Sequence, residues 1–269
     1  MRSKARIRVA VSSHQGRRDS NEDNFYTGKY ILEDSRQASS FGHKVSIPSL
    51  CAVCDGMGGM TNGKLASMNA ATYIKEYNEL KLRQLQTECC DDYQDSYVIT
   101  WINKFINNLN ASMSPSIQNQ MNYGSTVAMI YLDRQKIYLS NVGDSRIYVF
   151  QNNSMNQLSV DHNQRANAVA LGISPVDITW GSNILTQYLG MPKDEILLEP
   201  HVISLEYSPM TILICSDGLT EALDDKEIFN LFLSSRCITL KSMSKKYIQK
   251  ALDNGSKDNI TVMLIKIII

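Results

Sequence analysis

A chain of 269 residues, 43% of them hydrophobic, is long enough to bury a sizeable core. Lysine plus arginine equals aspartate plus glutamate at 27 each, so no net field draws nucleic acid or an anionic membrane to it. Residues 1–11 lack the apolar centre of a signal peptide and no apolar run approaches a bilayer span, so a soluble, cytoplasmic protein is expected.

No linker composition interrupts the chain, so one domain covering 1–269 is expected. Of the six cysteines only Cys51 and Cys54 have ligand spacing, and on a strand they would face opposite sides. Buried free thiols are the expectation for the cysteines, Cys89, Cys90, Cys215 and Cys237 included.

Arg2, Lys4, Arg6 and Arg8 alternate with Ala5, Ile7, Val9 and Val11, the period of a strand with one wet face and one buried face. A polar loop, Ser12 to Asn21, ends in Glu22-Asp23 ahead of a strand from Asn24 to Ile31. Residues Glu33 to Ser49 are polar and aperiodic and read as an exposed loop. The apolar strand that follows closes in Cys54-Asp55-Gly56-Met57-Gly58-Gly59, a lone carboxylate at a turn open enough for close backbone approach.

Thr61 or Asn62 can cap a helix that presents Ala66, Ala70, Tyr73, Tyr77 and Leu80 on one face. A second helix presents Val98, Trp101, Ile102, Phe105, Leu109 and Met113. Three strands then read as an antiparallel meander: Thr126 to Leu132, Lys136 to Val142 and Arg146 to Gln151. Residues 163–199, broken by Gly172, Pro175 and Gly181, read as an irregular lid.

Strands return at His201 to Leu205 and Thr211 to Cys215, the latter ending in Ser216-Asp217-Gly218. Asp224 with Glu227 has capping-box spacing for one helix, and another, carrying Leu240, Met243, Tyr247 and Ile248, stops at Gly255. Asp258 precedes the closing strand.

Asp23, Asp55, Asp217 and Asp258 therefore each stand at one end of an apolar strand, and Asp144 follows another. If those strands are antiparallel neighbours, the acids meet at one edge, where like charges must either take up protons or gather cations. Oxygen-only ligands favour magnesium or manganese over zinc. The alternative is that each acid caps its own turn, with Asp144 paired to Arg146.

Six segments carry a family resemblance: Arg18-Asp19-Ser20-Asn21-Glu22-Asp23, Asp55-Gly56-Met57-Gly58-Gly59, Gly124-Ser125-Thr126, Asn141-Val142-Gly143-Asp144-Ser145-Arg146, Ser216-Asp217-Gly218-Leu219 and Asp258-Asn259-Ile260-Thr261. In this order they make the chain resemble the metal-dependent serine/threonine protein phosphatases of type 2C, in their bacterial branch. The resemblance implies an α+β fold, a four-layer α-β-β-α sandwich of two antiparallel sheets with a metal site at one edge.

It further implies that Asp23, Asp55, Gly56, Asp217 and Asp258 hold two magnesium or manganese ions, with Glu22 acting through bound water. Asp144, with Asp217, matches the place of a third, weaker ion, and Arg18 matches the arginine that holds the substrate phosphate. The reaction implied is direct hydrolysis of phosphoserine and phosphothreonine in phosphorylated proteins by a metal-bridging hydroxide, opposite a cognate Ser/Thr kinase. Met57 stands where many eukaryotic members carry a histidine proposed as proton donor, and methionine cannot serve; His162 reads as structural. The rival readings are a silent phosphoprotein-binding adaptor of the same fold and a stress-pathway phosphatase with one partner.

Overall fold

The computed structural model describes residues 5–33, 38–58, 61–80, 82, 94–113, 123–174, 178, 184–192 and 197–269. Gly59, the Thr61 side chain, Cys89, Cys90, Pro175, Gly181 and parts of the expected lid lie outside the described residues.

Thirteen strands are described, and most build two antiparallel sheets. The six-stranded sheet runs β10 (Ser154–Gln157), β9 (Arg146–Gln151), β12 (Met210–Cys215), β13 (Ile260–Ile268), β1 (Arg6–His14), β3 (Ala38–Val45). The five-stranded sheet runs β11 (His201–Glu206), β8 (Lys136–Val142), β7 (Val127–Leu132), β4 (Ser49–Cys54), β2 (Asn24–Tyr26). A short pair, β5 (Gly56–Met57) with β6 (Gly124–Ser125), lies beyond the end of β4.

Alternation sorts the side chains into layers. In β1, Ile7, Val9 and Val11 join Cys51 and Val53 of β4, Ile130 of β7, and Ile212 and Ile265 of β12 and β13 in the core between the sheets. Each such side chain removed from water contributes about 1.5–3 kcal/mol. The other face of β4, Leu50, Ala52 and Cys54, packs under α1 (Thr61–Leu80) and α2 (Asp95–Met113) through Ala66, Ala70, Ile102 and Phe105. Cys51 and Cys54 therefore do face opposite layers.

Outside the six-stranded sheet, Leu213, Cys215, Val262 and Leu264 pack under α5 (Asp225–Ser234) and α6 (Leu240–Asp253) through Ile228, Met243 and Tyr247. The other helices named among the described residues, α3 (Gln164–Ala170) and α4 (Asp217–Thr220), are short. The arrangement is the α-β-β-α sandwich expected.

Polar contacts set the helices on the sheets. Asn78 of α1 accepts the Leu50 N–H at 2.7 Å and donates to the Tyr26 hydroxyl at 2.9 Å. Asp95 at the start of α2 accepts from Tyr138 and pairs with Lys136 of β8. Asp224 caps α5 in a reciprocal box with Glu227, and α6 runs out at Asn254 before Gly255 at φ +88°.

Several expectations are corrected. Residues 38–45 are not loop but edge strand β3, held by an eight-residue ladder to β1. The strand begun at Asn24 is only three residues long, followed by a tight return that bridges Tyr26 to Ile31. The meander breaks after β8, because β9 crosses to pair with β12 in the other sheet. Leu80 is exposed, Cys237 is an exposed thiol and not a buried one, and the 163–199 segment contains helix α3.

Candidate active site

The register brings the strand-end acids to one edge. Asn24 of β2 lies opposite Cys54 of β4, so Asp23 and Asp55 adjoin; Cys215 of β12 lies opposite Val262 of β13, so Asp217 and Asp258 do the same. Val127 opposite Val142 brings Asp144 to this edge as well.

Asp23 is fully buried at the seam between the sheets. Its Oδ2 accepts from the Ser216 hydroxyl at 2.8 Å, and the carboxyl also hydrogen-bonds with Thr261 and Asp55. Ser216 in turn accepts the Thr261 N–H at 2.9 Å, so the end of one strand orients the acid that begins another.

The Asp55 turn is held by Thr126, whose N–H donates to the Asp55 carbonyl at 2.8 Å and whose hydroxyl oxygen accepts the Asp55 N–H at 3.0 Å. Ser145 braces that hydroxyl at 2.7 Å. Gly56 needs its missing side chain: a β-carbon there would collide with the Gly63 carbonyl, and one on Gly63 would strike the Glu22 carboxylate. The first turn of α1 thus presses Glu22 and the Gly56 backbone together, and Ser67 binds the Glu22 carbonyl at 2.5 Å.

The arginine loop is clamped by Asn259. Its Oδ1 accepts the Glu22 N–H at 2.7 Å, and its Nδ2 donates to the Gln15 and Ser20 carbonyls at 2.7 and 2.9 Å. Arg18, at the exposed tip, donates from Nη2 to Asp258 Oδ2 at 2.5 Å. Replacing Asn259 with alanine strands three backbone groups, and is expected to cost about 2 kcal/mol or more in urea unfolding and to raise KM by loosening the Arg18 loop. Wild-type values of both would show that the loop holds itself.

Asp144 is not bonded to Arg146. That guanidinium is taken by Asp161, with Nε to Oδ1 at 3.1 Å and Nη2 to Oδ2 at 2.7 Å, while the Asp144 carboxyl bonds its own backbone and Asn163 and feels the Arg146 charge only at a distance. His162 accepts the Gly143 N–H on Nδ1 at 3.2 Å, and its backbone N–H donates to the Gly143 carbonyl at 3.0 Å, a structural role beside the same turn.

Electrostatically the edge is strained. Burial, then the Asp217, Asp23 and Asp144 charges, push Asp55 well above the ordinary carboxylate range. Burial, then Asp144 and Asp258, do the same to Asp217. Burial raises Asp23 to about 7, and burial with Asp161 raises Asp144 to about 6. Among the described residues, Arg18 is the one cation in an ion pair with Asp23, Asp55, Asp144, Asp217 or Asp258.

As they stand, no three acidic, histidine or cysteine side chains among the described residues converge as a ready ligand shell; Asp55 bonds to Asp217 and Asp258 to Arg18. The donors nevertheless suit a hard cation: all are oxygens, they are buried together, and their charges repel one another. Ser216, Thr126, Ser145, Gly63 and Ser67 position the acids but carry no chemistry that sequence reading could single out. Only the motif context of Ser216, Thr126 and Ser145 hinted at a role.

The sequence profile described as Protein phosphatase 2C matches residues 7–167. The serine/threonine phosphatase stp of Listeria innocua is 31% identical over 80% of this chain and 82% of its own length. The protein phosphatase PhpP of Streptococcus pneumoniae is 30% identical over 81% and 85%.

The solved structure of Stp1 from Staphylococcus aureus superposes with a TM-score of 0.75 at 26% identity, over 96% of this chain and 94% of its own. That of the PstP catalytic domain in complex with two manganese ions matches the fold with a TM-score of 0.74 at 22% identity, over 99% and 100%. The chain belongs to the protein phosphatase 2C family, and it is a serine/threonine protein phosphatase acting on phosphorylated proteins.

Proposed function

We propose that the acidic edge is the catalytic centre of a single domain, in which Asp23, Asp55, Asp217 and Asp258, the Gly56 carbonyl and, through water, Glu22 hold two magnesium or manganese ions. Asp144 and Asp217 would hold a third more weakly. The observation that carries this reading is the gathering of buried, mutually repelling carboxylates, Asp23, Asp55 and Asp217 among them, at the edge where their strands pair. The structural neighbour PstP, whose catalytic domain is in complex with two manganese ions, supports a site for two such ions.

When bound, such ions supply Lewis-acid charge and an activated water at neutral pH. The chain's own part is positioning. Thr126 and Ser145 hold the Asp55 turn, Ser216 holds Asp23, and Asn259 sets the loop from which Arg18 reaches the phosphate. A planar guanidinium donates to two phosphate oxygens at once and stays charged at every working pH. Asp258, its present partner, holds Arg18 poised over the acidic edge until a phosphate competes for it. No side chain of the protein need become phosphorylated, since positioning and charge neutralisation suffice for phosphoryl transfer.

The physiological counterpart would be a Ser/Thr kinase in the cytoplasm; no described helix is long and apolar enough to cross a membrane. Arg18→Ala tests the phosphate assignment. KM for a phosphothreonine peptide is expected to rise about tenfold or more, with manganese affinity in calorimetry kept or improved because Asp258 is released. An unchanged KM would place the phosphate on another cation.

A further inference from the structure

The outer face of the six-stranded sheet changes character along its length. In β13, Val262 and Leu264 are buried under α5 and α6, but the next outward residue, Lys266, is exposed. The register sets Lys266 directly opposite Arg8 of β1, and Arg8 directly opposite Lys44 of β3. Three exposed cations thus stand side by side across three neighbouring strands, an arrangement that like-charge repulsion disfavours.

These side chains line a groove of about 850 Å³, together with Lys241 of α6 and Arg236 just beyond α5. No acidic residue lines it, and among the described residues none of the five cations has a carboxylate within ion-pair distance. Arg236 is instead held over the Phe232 ring, 5.4 Å from its centroid, and donates to Asn153 at 2.9 Å. The chain as a whole is charge-balanced, so this segregation is local and not a by-product of composition. Phe232 and Met210 give the same groove an apolar wall.

The groove is remote from the acidic edge but joined to it. Arg8 lies five rungs from Ser13, which bonds Thr261 and Asn21 beside the Arg18 loop, a separation of about 17 Å at strand spacing. Lys241 also lines a second hollow of about 400 Å³ that follows α6 and β1 past Lys245 to Ser13 and His14. An extended peptide covers the distance in about five or six residues.

We propose that this groove docks an acidic, partly apolar segment of the phosphoprotein substrate, roughly six or more residues from the phosphorylated side chain. The proposal takes the substrate class from the phosphatase reading above. It assigns Arg8, Lys44 and Lys266 to recognition and leaves the chemistry to the opposite edge. Arg8, read in sequence as part of a solvated strand face, thereby acquires a partner, which uniform solvation would not require.

The test is fluorescence anisotropy of the intact protein with a labelled, unphosphorylated peptide alternating glutamate with leucine. Binding is expected to weaken with added salt and to fall about tenfold or more in R8E/K44E/K266E, with hydrolysis of a small aryl phosphate unchanged. The milder K44A/K266A guards against a folding defect and should show a smaller loss in the same direction. Undetectable wild-type binding, binding indifferent to both variants, or tighter capture of a single-stranded oligonucleotide than of the peptide would each overturn the proposal. Because binding is read without turnover, an inactive preparation that still bound the peptide would count against the catalytic assignment and not against the groove.

Discussion

Asp217→Asn and Asp55→Asn are each expected to lower kcat on a phosphothreonine peptide by about a thousandfold while the fold survives. Each carboxylate lies among other acids at the edge where β12 and β4 end, and an amide of the same shape removes a negative ligand without opening a cavity. The same substitutions should raise the melting temperature of chelator-treated protein near pH 8. Burial and the neighbouring acid charges disfavour the charged forms of Asp55 and Asp217, and one neutral member relieves part of that repulsion. Phosphate release and calorimetry together decide the matter. Turnover near normal would move the catalytic centre elsewhere, and a lowered metal-free melting temperature would make the aspartate a structural capping residue.

Excess chelator is expected to reduce hydrolysis to background, and to leave a protein whose stability falls as pH rises. Asp23 takes up its proton more readily in the folded chain than in the unfolded one. Its favourable contribution is therefore complete below the ordinary aspartate value of 3.8 and is lost as pH climbs through about 7. Asp144, raised to about 6, acts in the same direction over a narrower window. Manganese should reverse the slope, because a cation binds the carboxylate form and stabilises only the folded state, by about 2.7 kcal/mol at a hundredfold excess over Kd. Chemical denaturation at several pH values, with and without manganese, reads both slopes. A metal-free stability that rose from pH 4 to 7 would show that the acids are satisfied without a cation.

Much of this was legible in sequence for a physical reason. A strand between two layers is apolar throughout, so a charged residue at its end is conspicuous, and Asp23, Asp55, Asp217 and Asp258 stood out before any pairing was known. The amphipathic stripes of α1 and α2 and the capping box of α5 are local, and local signals survive in one dimension. What the chain could not disclose was which strand lies beside which. β9 is apolar on both faces, Ile147 and Val149 inward, Tyr148 and Phe150 outward, so it suited either sheet; only its ladder with β12 placed it.

β3 escaped notice because an edge strand with one wet face needs few apolar residues, and Phe41 and Val45 between serines, His43 and Lys44 do not show a period. The pairing of Arg146 with Asp161, the Asn259 clamp, the bond from Ser216 to Asp23 and the row of Lys266, Arg8 and Lys44 all join residues apart in the chain. Sequence by itself determined the layers, the family and the acids. Tertiary structure decided their neighbours, because hydrogen bonds and charges act over a few ångströms of space, whatever the separation along the chain.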